Sequence, residues 1–106
     1  MDKQTKKHYR ELERQLGYRF RDRALLEAAL THPSFRFESS ADIRDNQRLE
    51  FLGDAALDLV LAERLFGRLP EADEGVLTSM RSRMASGRAL ARCARELGLG
   101  AFLRMG

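Results

Sequence analysis

The stretch that organises the chain is residues 45–66, DNQRLEFLGDAALDLVLAERLF, which reads as one long helix. Apolar residues lie on almost every side of this helix, a pattern typical of a buried helix. Glu50, Asp54 and Asp58 nevertheless form an acidic column at i, i+4 spacing, where like charges repel each other. Buried carboxylates need a cation or hydrogen-bond donors. Either basic side chains from elsewhere in the chain cover this column, or a hard divalent ion does, and magnesium is the usual ion at oxygen-only sites.

The composition is that of one small globular domain, or of a piece of one. The chain has 106 residues, of which 43% are hydrophobic and 33% charged, and the absence of Trp favours helices. A net charge of +3 permits a nucleic-acid partner without requiring one. The single cysteine fits a reducing cytoplasm, and two histidines with one cysteine cannot form a typical zinc site. The polar N-terminus predicts no secretory signal, and no apolar run is long enough to span a membrane.

The spacing of apolar residues predicts an all-α fold of about five helices packed around the central buried one. The other helices are expected at residues 4–16, 23–31, 73–85 and 88–97. Their ends are predicted from Gly17, Asp22, Gly67, Ser86 and Gly98, which are typical caps or stops. The helix over residues 23–31 is predicted to end before Pro33, which disfavours helical geometry at His32, and the polar residues 33–44 are predicted to form a loop.

Glu50 and Asp54 are the candidate metal ligands, with Gln47 one turn earlier on the same helix. Carboxylates of this kind can hold a metal ion that activates water for phosphodiester hydrolysis. The alternative is an ordinary acidic stripe paired with some of the many arginines. Asp58 lies a turn further on, and we expect it to face solvent or to form a salt bridge.

Four further residues of the sequence have competing structural and functional interpretations. Periodicity favours a core position for Phe51 over an exposed contact with a partner subunit. Gly53 lies inside the helix and suggests close approach of another backbone. His32 is interpreted as a dipole or capping residue at a helix C-terminus rather than as a neighbour of the carboxylates. Cys93 has the spacing of a core position.

The run Asn46-Gln47-Arg48-Leu49-Glu50-Phe51-Leu52-Gly53-Asp54-Ala55 resembles the signature of the ribonuclease III family, N-E-R-L-E-F-L-G-D. The flanking sequence agrees in order and spacing at residues 17–20, 29–32, 73–75 and 80–81. The C-terminal residues 90–106 also resemble the family. The resemblance therefore covers nearly the whole chain.

This resemblance implies the ribonuclease III endonuclease-domain fold and a homodimer that cleaves double-stranded RNA. The implied cofactor is Mg²⁺, with Mn²⁺ as a substitute, and the implied role is RNA processing, including that of ribosomal precursors. By position, Glu50 and Asp54 match metal-binding catalytic carboxylates. Phe51 matches a ring that inserts into a socket on the other subunit, which reverses the preference from periodicity. Gln47 and Glu74 match residues of the cleft.

The sequence departs from the family pattern in two ways. Gln47 stands where the family often has Glu, so this position keeps its hydrogen-bonding capacity and loses its charge. The family completes its carboxylate cluster with a D-x-x-E-A motif on a further helix, and a double-stranded-RNA-binding domain usually follows. Neither lies within residues 1–106. We therefore expect a partial domain that is inactive or very weak alone.

Two other functions compete with this interpretation. A non-catalytic relative that serves in dimerisation or RNA association would explain Gln47 and the missing motif. A generic helical domain with an acidic stripe would require the long signature to be a coincidence.

Overall fold

Six α-helices follow one another in the computed structural model, which describes residues 3–38 and 44–104. They are α1 (Lys3–Leu16), α2 (Arg23–Ala29), α3 (Pro33–Glu38), α4 (Gln47–Arg68), α5 (Glu74–Met84) and α6 (Gly87–Leu97), followed by a 3₁₀ turn (Leu99–Phe102). The one β-type pairing among these described residues is an isolated bridge between Thr31 and Arg104. The prediction of an all-α fold is confirmed. None of the described helices combines the length and the apolar character needed to cross a bilayer.

Short polar side chains begin three of the helices. The Asp22 carboxylate accepts a hydrogen bond from the Ala24 N–H at 2.9 Å. Asp73 accepts in the same way from Val76 N–H at 2.9 Å. The Ser86 hydroxyl accepts from Ala89 N–H at 3.2 Å. These caps satisfy N–H groups that have no partner within the helix, so the predicted caps Asp22 and Ser86 are confirmed.

Gly17 ends α1 in the left-handed conformation, with φ at +67°. Its N–H donates to the Arg14 carbonyl at 3.3 Å, and the Tyr18 N–H donates to the Glu13 carbonyl at 3.2 Å. This pair of bonds is a Schellman motif, which satisfies the last carbonyls of the helix. The predicted end of the first helix is confirmed.

Gly17 and Gly53 make a matched pair whose substitution by Ala should have opposite effects on stability. Neither position has an atom within 4 Å of an added Cβ, so only the backbone decides. We expect Gly17→Ala to lower the free energy of unfolding by about 1–2 kcal/mol, because its φ is positive. Gly53→Ala, inside α4, should raise it by about 0.5–1 kcal/mol. Urea unfolding of the monomer measures both, and changes of the same sign would contradict this account. The expected close backbone approach at Gly53 is not observed.

Helix α3 occupies residues that the sequence predicted as loop. Proline fits the first position of a helix, where its missing N–H is not needed, and Pro33 holds that position. The His32 Nδ1 accepts a hydrogen bond from the Ser34 N–H at 3.1 Å, so His32 caps α3. The sequence predicted a cap at the C-terminal end of the preceding helix, and the structure instead places the His32 cap at the start of α3. The rest of the predicted loop, residues 39–43, lies outside the described residues. The predicted end of the long helix at Gly67 is also shifted, because α4 continues through Gly67 to Arg68.

The hydrophobic core lies between α1, α2 and the 3₁₀ turn. Its buried members are Tyr9, Leu12, Leu26, Leu30 and Phe102, and the partly buried Phe20 and Leu99 pack against them. Phe102 is only 6% exposed, whereas the neighbouring Leu103 is 41% exposed. Desolvation by burial raises the pKa of the Tyr9 hydroxyl. The two ends of the described chain therefore build one core.

A polar junction centred on Thr31 ties the C-terminal segment to α2. Thr31 is fully buried, and its hydroxyl donates to the Glu27 carbonyl at 2.6 Å. The same oxygen accepts from Arg104 Nε at 3.0 Å and from Arg104 Nη2 at 2.6 Å. Arg104 also forms an ion pair with Glu27 at 3.1 Å and lies over the Phe35 ring, 5.0 Å from its centre. One guanidinium therefore joins groups from three segments of the chain.

The same junction holds the start of α4. The Asn46 N–H donates to the Thr31 carbonyl at 3.0 Å, and the Asn46 side-chain amide donates to the Ala29 carbonyl at 3.2 Å. The N-terminal end of α4, where the carboxylate column begins, is thus fixed to the end of α2.

Helix α4 is exposed along most of its length, which corrects the expectation that it is buried. Leu65 is its one buried residue, and the described residues of α5 and α6 include none. The radius of gyration is 16.5 Å, whereas a compact domain of this length has about 13 Å. Among the other helices, α5 forms the main packing contact of α4, so one side of α4 is covered and the rest faces solvent.

Candidate active site

The acidic column of α4 is solvent-exposed and has no partner among the described residues. Glu50, Asp54 and Asp58 are all exposed, and no described side chain forms an ion pair or a hydrogen bond with them. Spacing of four residues places neighbouring Cβ atoms about 5–6 Å apart on a helix surface. The alternative of an acidic stripe neutralised by arginines is therefore not observed in the described residues. Exposure of Asp58 to solvent is confirmed.

The first turn of α4 fixes the position of Glu50. The Glu50 N–H donates to the Asn46 carbonyl at 2.8 Å, and the Asp45 carboxylate accepts from the Gln47 N–H at 3.0 Å. Asn46 forms no side-chain capping bond here, so Asp45 provides the cap. A carboxylate in the first turn is also favoured by the helix dipole, which offsets part of the repulsion between Glu50 and Asp54.

Glu50 and Asp54 have the chemistry of a magnesium site but supply only part of one. Two carboxylates and several waters are a common arrangement for Mg²⁺, which takes oxygen ligands only. No three His, Cys, Asp or Glu side chains in the described part of the chain form a group that could hold a metal ion. The donor set therefore fits magnesium and leaves most of the coordination to water or to groups outside these residues.

Gln47 and Glu74 take different positions relative to this pair. Gln47 is exposed three residues before Glu50, on the same face of α4. Glu74 is exposed in the first turn of α5, which follows α4 after a short turn and packs back on it. The 18 residue steps from Glu50 to Arg68 span about 27 Å of helix. The structure thus brings Gln47 to the carboxylate pair and leaves Glu74 near the opposite end of α4.

Phe51 is 82% exposed, so the core position that periodicity favoured is wrong. α4 also carries a row of exposed apolar residues spaced seven apart, formed by Leu52, Leu59 and Phe66. Apolar surface of this extent is typical of a contact with another protein surface.

Cys93 is also exposed, which corrects its expected core position.

Sequence reasoning missed the basic residues of α1 as candidate functional residues. Several of them line surface depressions between α1, the 17–20 connector and α2. The available signal was their shared helical face, on which basic residues recur at three- and four-residue spacing.

The sequence matches the family model described as Ribonuclease-III-like over residues 22–106. Ribonuclease 3 of Oleidesulfovibrio alaskensis is 51% identical over 98 residues, which cover 92% of this chain and 43% of that protein. Ribonuclease 3 of Pseudomonas fluorescens is 53% identical over 95 residues, which cover 90% of this chain and 39% of that protein. The chain thus spans about two fifths of the curated relatives that it matches.

Two solved structures of the nuclease domain of ribonuclease III from Campylobacter jejuni are similar to this fold. One has a TM-score of 0.81 and 43% sequence identity, and the match covers 91% of this chain and 64% of that one. It was described for structural flexibility in a region involved in dimer formation. The other has a TM-score of 0.80 and 42% identity, and the match covers 92% of this chain. The similarity therefore extends through nearly all of the fold described above.

Proposed function

The chain belongs to the ribonuclease III family, and we propose on this basis that it forms part of an endonuclease domain that cleaves double-stranded RNA with magnesium. We assign residues 1–106 to part of this endonuclease domain. The observation that carries the proposal is the exposed Glu50–Asp54 pair inside the family signature, to which no side chain in the described part of the chain is bonded. The match to the family model excludes the generic helical domain.

Glu50 and Asp54 supply two anionic oxygen ligands for the metal. Their exposure keeps them accessible, and no arginine of the described chain competes for them. When bound, magnesium supplies Lewis-acid chemistry at the scissile phosphodiester and favours attack by water. Manganese takes similar ligands and is the expected substitute.

Gln47 adds a neutral amide beside the pair, where it can donate to or accept from a water or a phosphate oxygen. The loss of charge at this position lowers the negative potential near the metal but removes no carboxylate ligand. We assign Gln47 an auxiliary role in the cleft.

A homodimer is the proposed working unit, and Phe51 is its proposed anchor. The exposed ring supports this proposal because an isolated protomer gains nothing from a phenyl group in water. Glu74 lies far from Glu50 along α4, so a second protomer is the simplest way for it to reach a cleft. The apolar row formed by Leu52, Leu59 and Phe66 offers further surface for the same contact.

We expect Phe51→Ala to weaken dimerisation by about 30-fold or more, since a buried aromatic anchor contributes about 2 kcal/mol or more. Sedimentation equilibrium measures this change. Monomer stability should change by no more than about 0.5 kcal/mol, because the ring is exposed there. The control is Tyr18→Ala, another exposed aromatic ring, which should leave dimerisation unchanged. A dissociation constant unaffected by loss of Phe51 would contradict its role as an anchor.

The experiment that tests the function is cleavage of a perfect RNA duplex in magnesium. The 106-residue chain should be inactive or very weak, because it carries half of the family's carboxylate cluster. A chimera that continues after Gly106 with the remaining nuclease domain of a half-identical relative should cleave. Strong cleavage by the short chain would show that Glu50 and Asp54 suffice.

A non-catalytic relative is the second candidate, and Gln47 is the observation that favours it. Absence of cleavage by both the short chain and the chimera would support this candidate. Glu50 and Asp54 argue against it, because a protein without cleavage has no need for both carboxylates. Processing of ribosomal precursor RNA in the cytoplasm is the proposed biological setting.

A further inference from the structure

Positive charge is concentrated in the first fifth of the chain. Residues 3–23 contain eight Lys and Arg and three Asp and Glu, a net charge of +5, whereas the whole chain carries +3. Lys3, Lys7, Arg10 and Arg14 recur at i, i+4, i+7 and i+11, so they share one face of α1. This row is about 16 Å long. The opposite face carries Tyr9 and Leu12, which are buried in the core.

Two depressions follow this row and together form what we call the basic groove. The larger has a volume of about 690 Å³ and is lined by Lys7, Arg10, Arg14 and Arg19 with Glu13, Gly17 and Tyr18. The smaller has a volume of about 320 Å³ and is lined by Lys6, Arg10, Arg19 and Arg23. Arg10 and Arg19 border both depressions. The groove therefore joins α1, the connector and the start of α2 into one concave basic surface.

The single carboxylate in the groove wall is already neutralised. Glu13 is buried and accepts from the Phe20 N–H at 2.6 Å and from Arg23 Nη2 at 3.2 Å. These bonds use its charge within the protein, so it opposes an entering anion only weakly. Lys6, Lys7, Arg10 and Arg19 form no ion pair with a described residue, and all four are exposed.

Arg23 leaves one donor unused at the edge of the groove. Its Nη1 is the one buried side-chain nitrogen or oxygen in the described residues that lacks a hydrogen-bond partner. Buried donors are almost always paired, so this nitrogen leaves part of the Arg23 guanidinium without compensation in the groove wall beside Lys6, Arg10 and Arg19.

We propose that the basic groove binds the phosphate backbone of duplex RNA outside the carboxylate site. A row of cations along one helix matches the continuous charge of a duplex, and duplex RNA is bound mainly through its backbone and shape. A membrane fits less well, because α1 keeps its apolar face in the core and cannot insert it. The choice of duplex RNA as the ligand rests on the proposed function, but binding in the groove does not require cleavage.

The test is the salt dependence of binding to a labelled 20-base-pair RNA duplex, measured in EDTA so that no metal-dependent cleavage occurs. The groove variant is Lys6→Gln/Arg10→Gln/Arg19→Gln, which alters three cations without structural bonds. The control variant is Arg64→Gln/Arg68→Gln/Arg92→Gln, which removes the same charge from exposed positions elsewhere. Each lost phosphate contact lowers the slope of log K against log salt by about one. The groove variant should therefore lose about three units of slope and bind about tenfold or more weakly at 100 mM salt.

The single variant Lys6→Gln should lose about one unit of slope, and the control triple less than one. Four results would overturn the proposal: no binding by the unaltered chain, equal losses in the two triple variants, no loss in the groove variant, or tighter binding to single-stranded RNA. Retention of the chain on vesicles rich in phosphatidylserine, without duplex binding, would also overturn it. Failure of cleavage with intact groove-dependent binding would count against the proposed function alone.

Discussion

Asp54→Asn is expected to reduce magnesium-dependent cleavage of a perfect RNA duplex by about 1,000-fold or more in the completed nuclease domain described above. The amide keeps the shape of the side chain and loses the charge that holds the metal. A metal ion contributes several kcal/mol of transition-state stabilisation, and each 1.36 kcal/mol changes the rate tenfold. Initial rates over a magnesium titration measure the effect, which high magnesium should restore only in part.

The matched control is Asp58→Asn, the same chemical change four residues further along the same exposed column. It relieves one of the two like-charge pairs that Asp54→Asn relieves, so both variants should be as stable as the parent chain or slightly more stable. Cleavage by Asp58→Asn should stay within about threefold of the parent. Equal losses in the two variants would mean that the column acts through its general field rather than through a ligand at Asp54.

Leu12→Ala is expected to lower the free energy of unfolding by about 2–5 kcal/mol, which is the usual range for such a cavity in a core. Leu12 is 1% exposed and lies at the centre of a core with five buried members. Small domains have only about 5–15 kcal/mol in total, so this change removes a large share. Urea unfolding followed by circular dichroism measures it.

The control for this change is Leu59→Ala, at a leucine that is 71% exposed on α4. It should alter the stability of the monomer by no more than about 0.5 kcal/mol. A large loss for Leu59→Ala in a monomer would contradict the placement of the core between α1, α2 and the 3₁₀ turn.

Features set by near neighbours in the sequence were predictable. Asp22 and Ser86 cap helices because their oxygens reach N–H groups two or three residues away. Gly17 and Gly98 end helices because both adopt positive φ. Pro33 correctly predicted that the helix before it ends, but the polar residues after it were interpreted as a loop although proline also favours the first position of a new helix.

Features set by distant residues could not be predicted. The apolar pattern of α4 correctly indicated a helix, but burial requires neighbours, and periodicity does not reveal whether those belong to this chain. The pairing of Thr31 with Arg104 joins residues 73 positions apart, and that of Glu13 with Arg23 depends on the path of the connector. For the site, the family signature identified Glu50, Asp54 and Phe51 as candidates. The basic groove has no comparable signature and depends on three segments meeting.

The core that joins both ends of the described chain has a consequence for protein synthesis. Phe102 completes the apolar cluster begun by Tyr9, and His8 bonds to the carbonyl of Ala101 across 93 positions. Translation adds about 5–20 residues each second, so several seconds pass between the synthesis of α2 and that of Phe102, which completes the core. The nascent chain therefore completes this core only after Phe102 has emerged from the ribosome, and until then the apolar face of α1 stays uncovered.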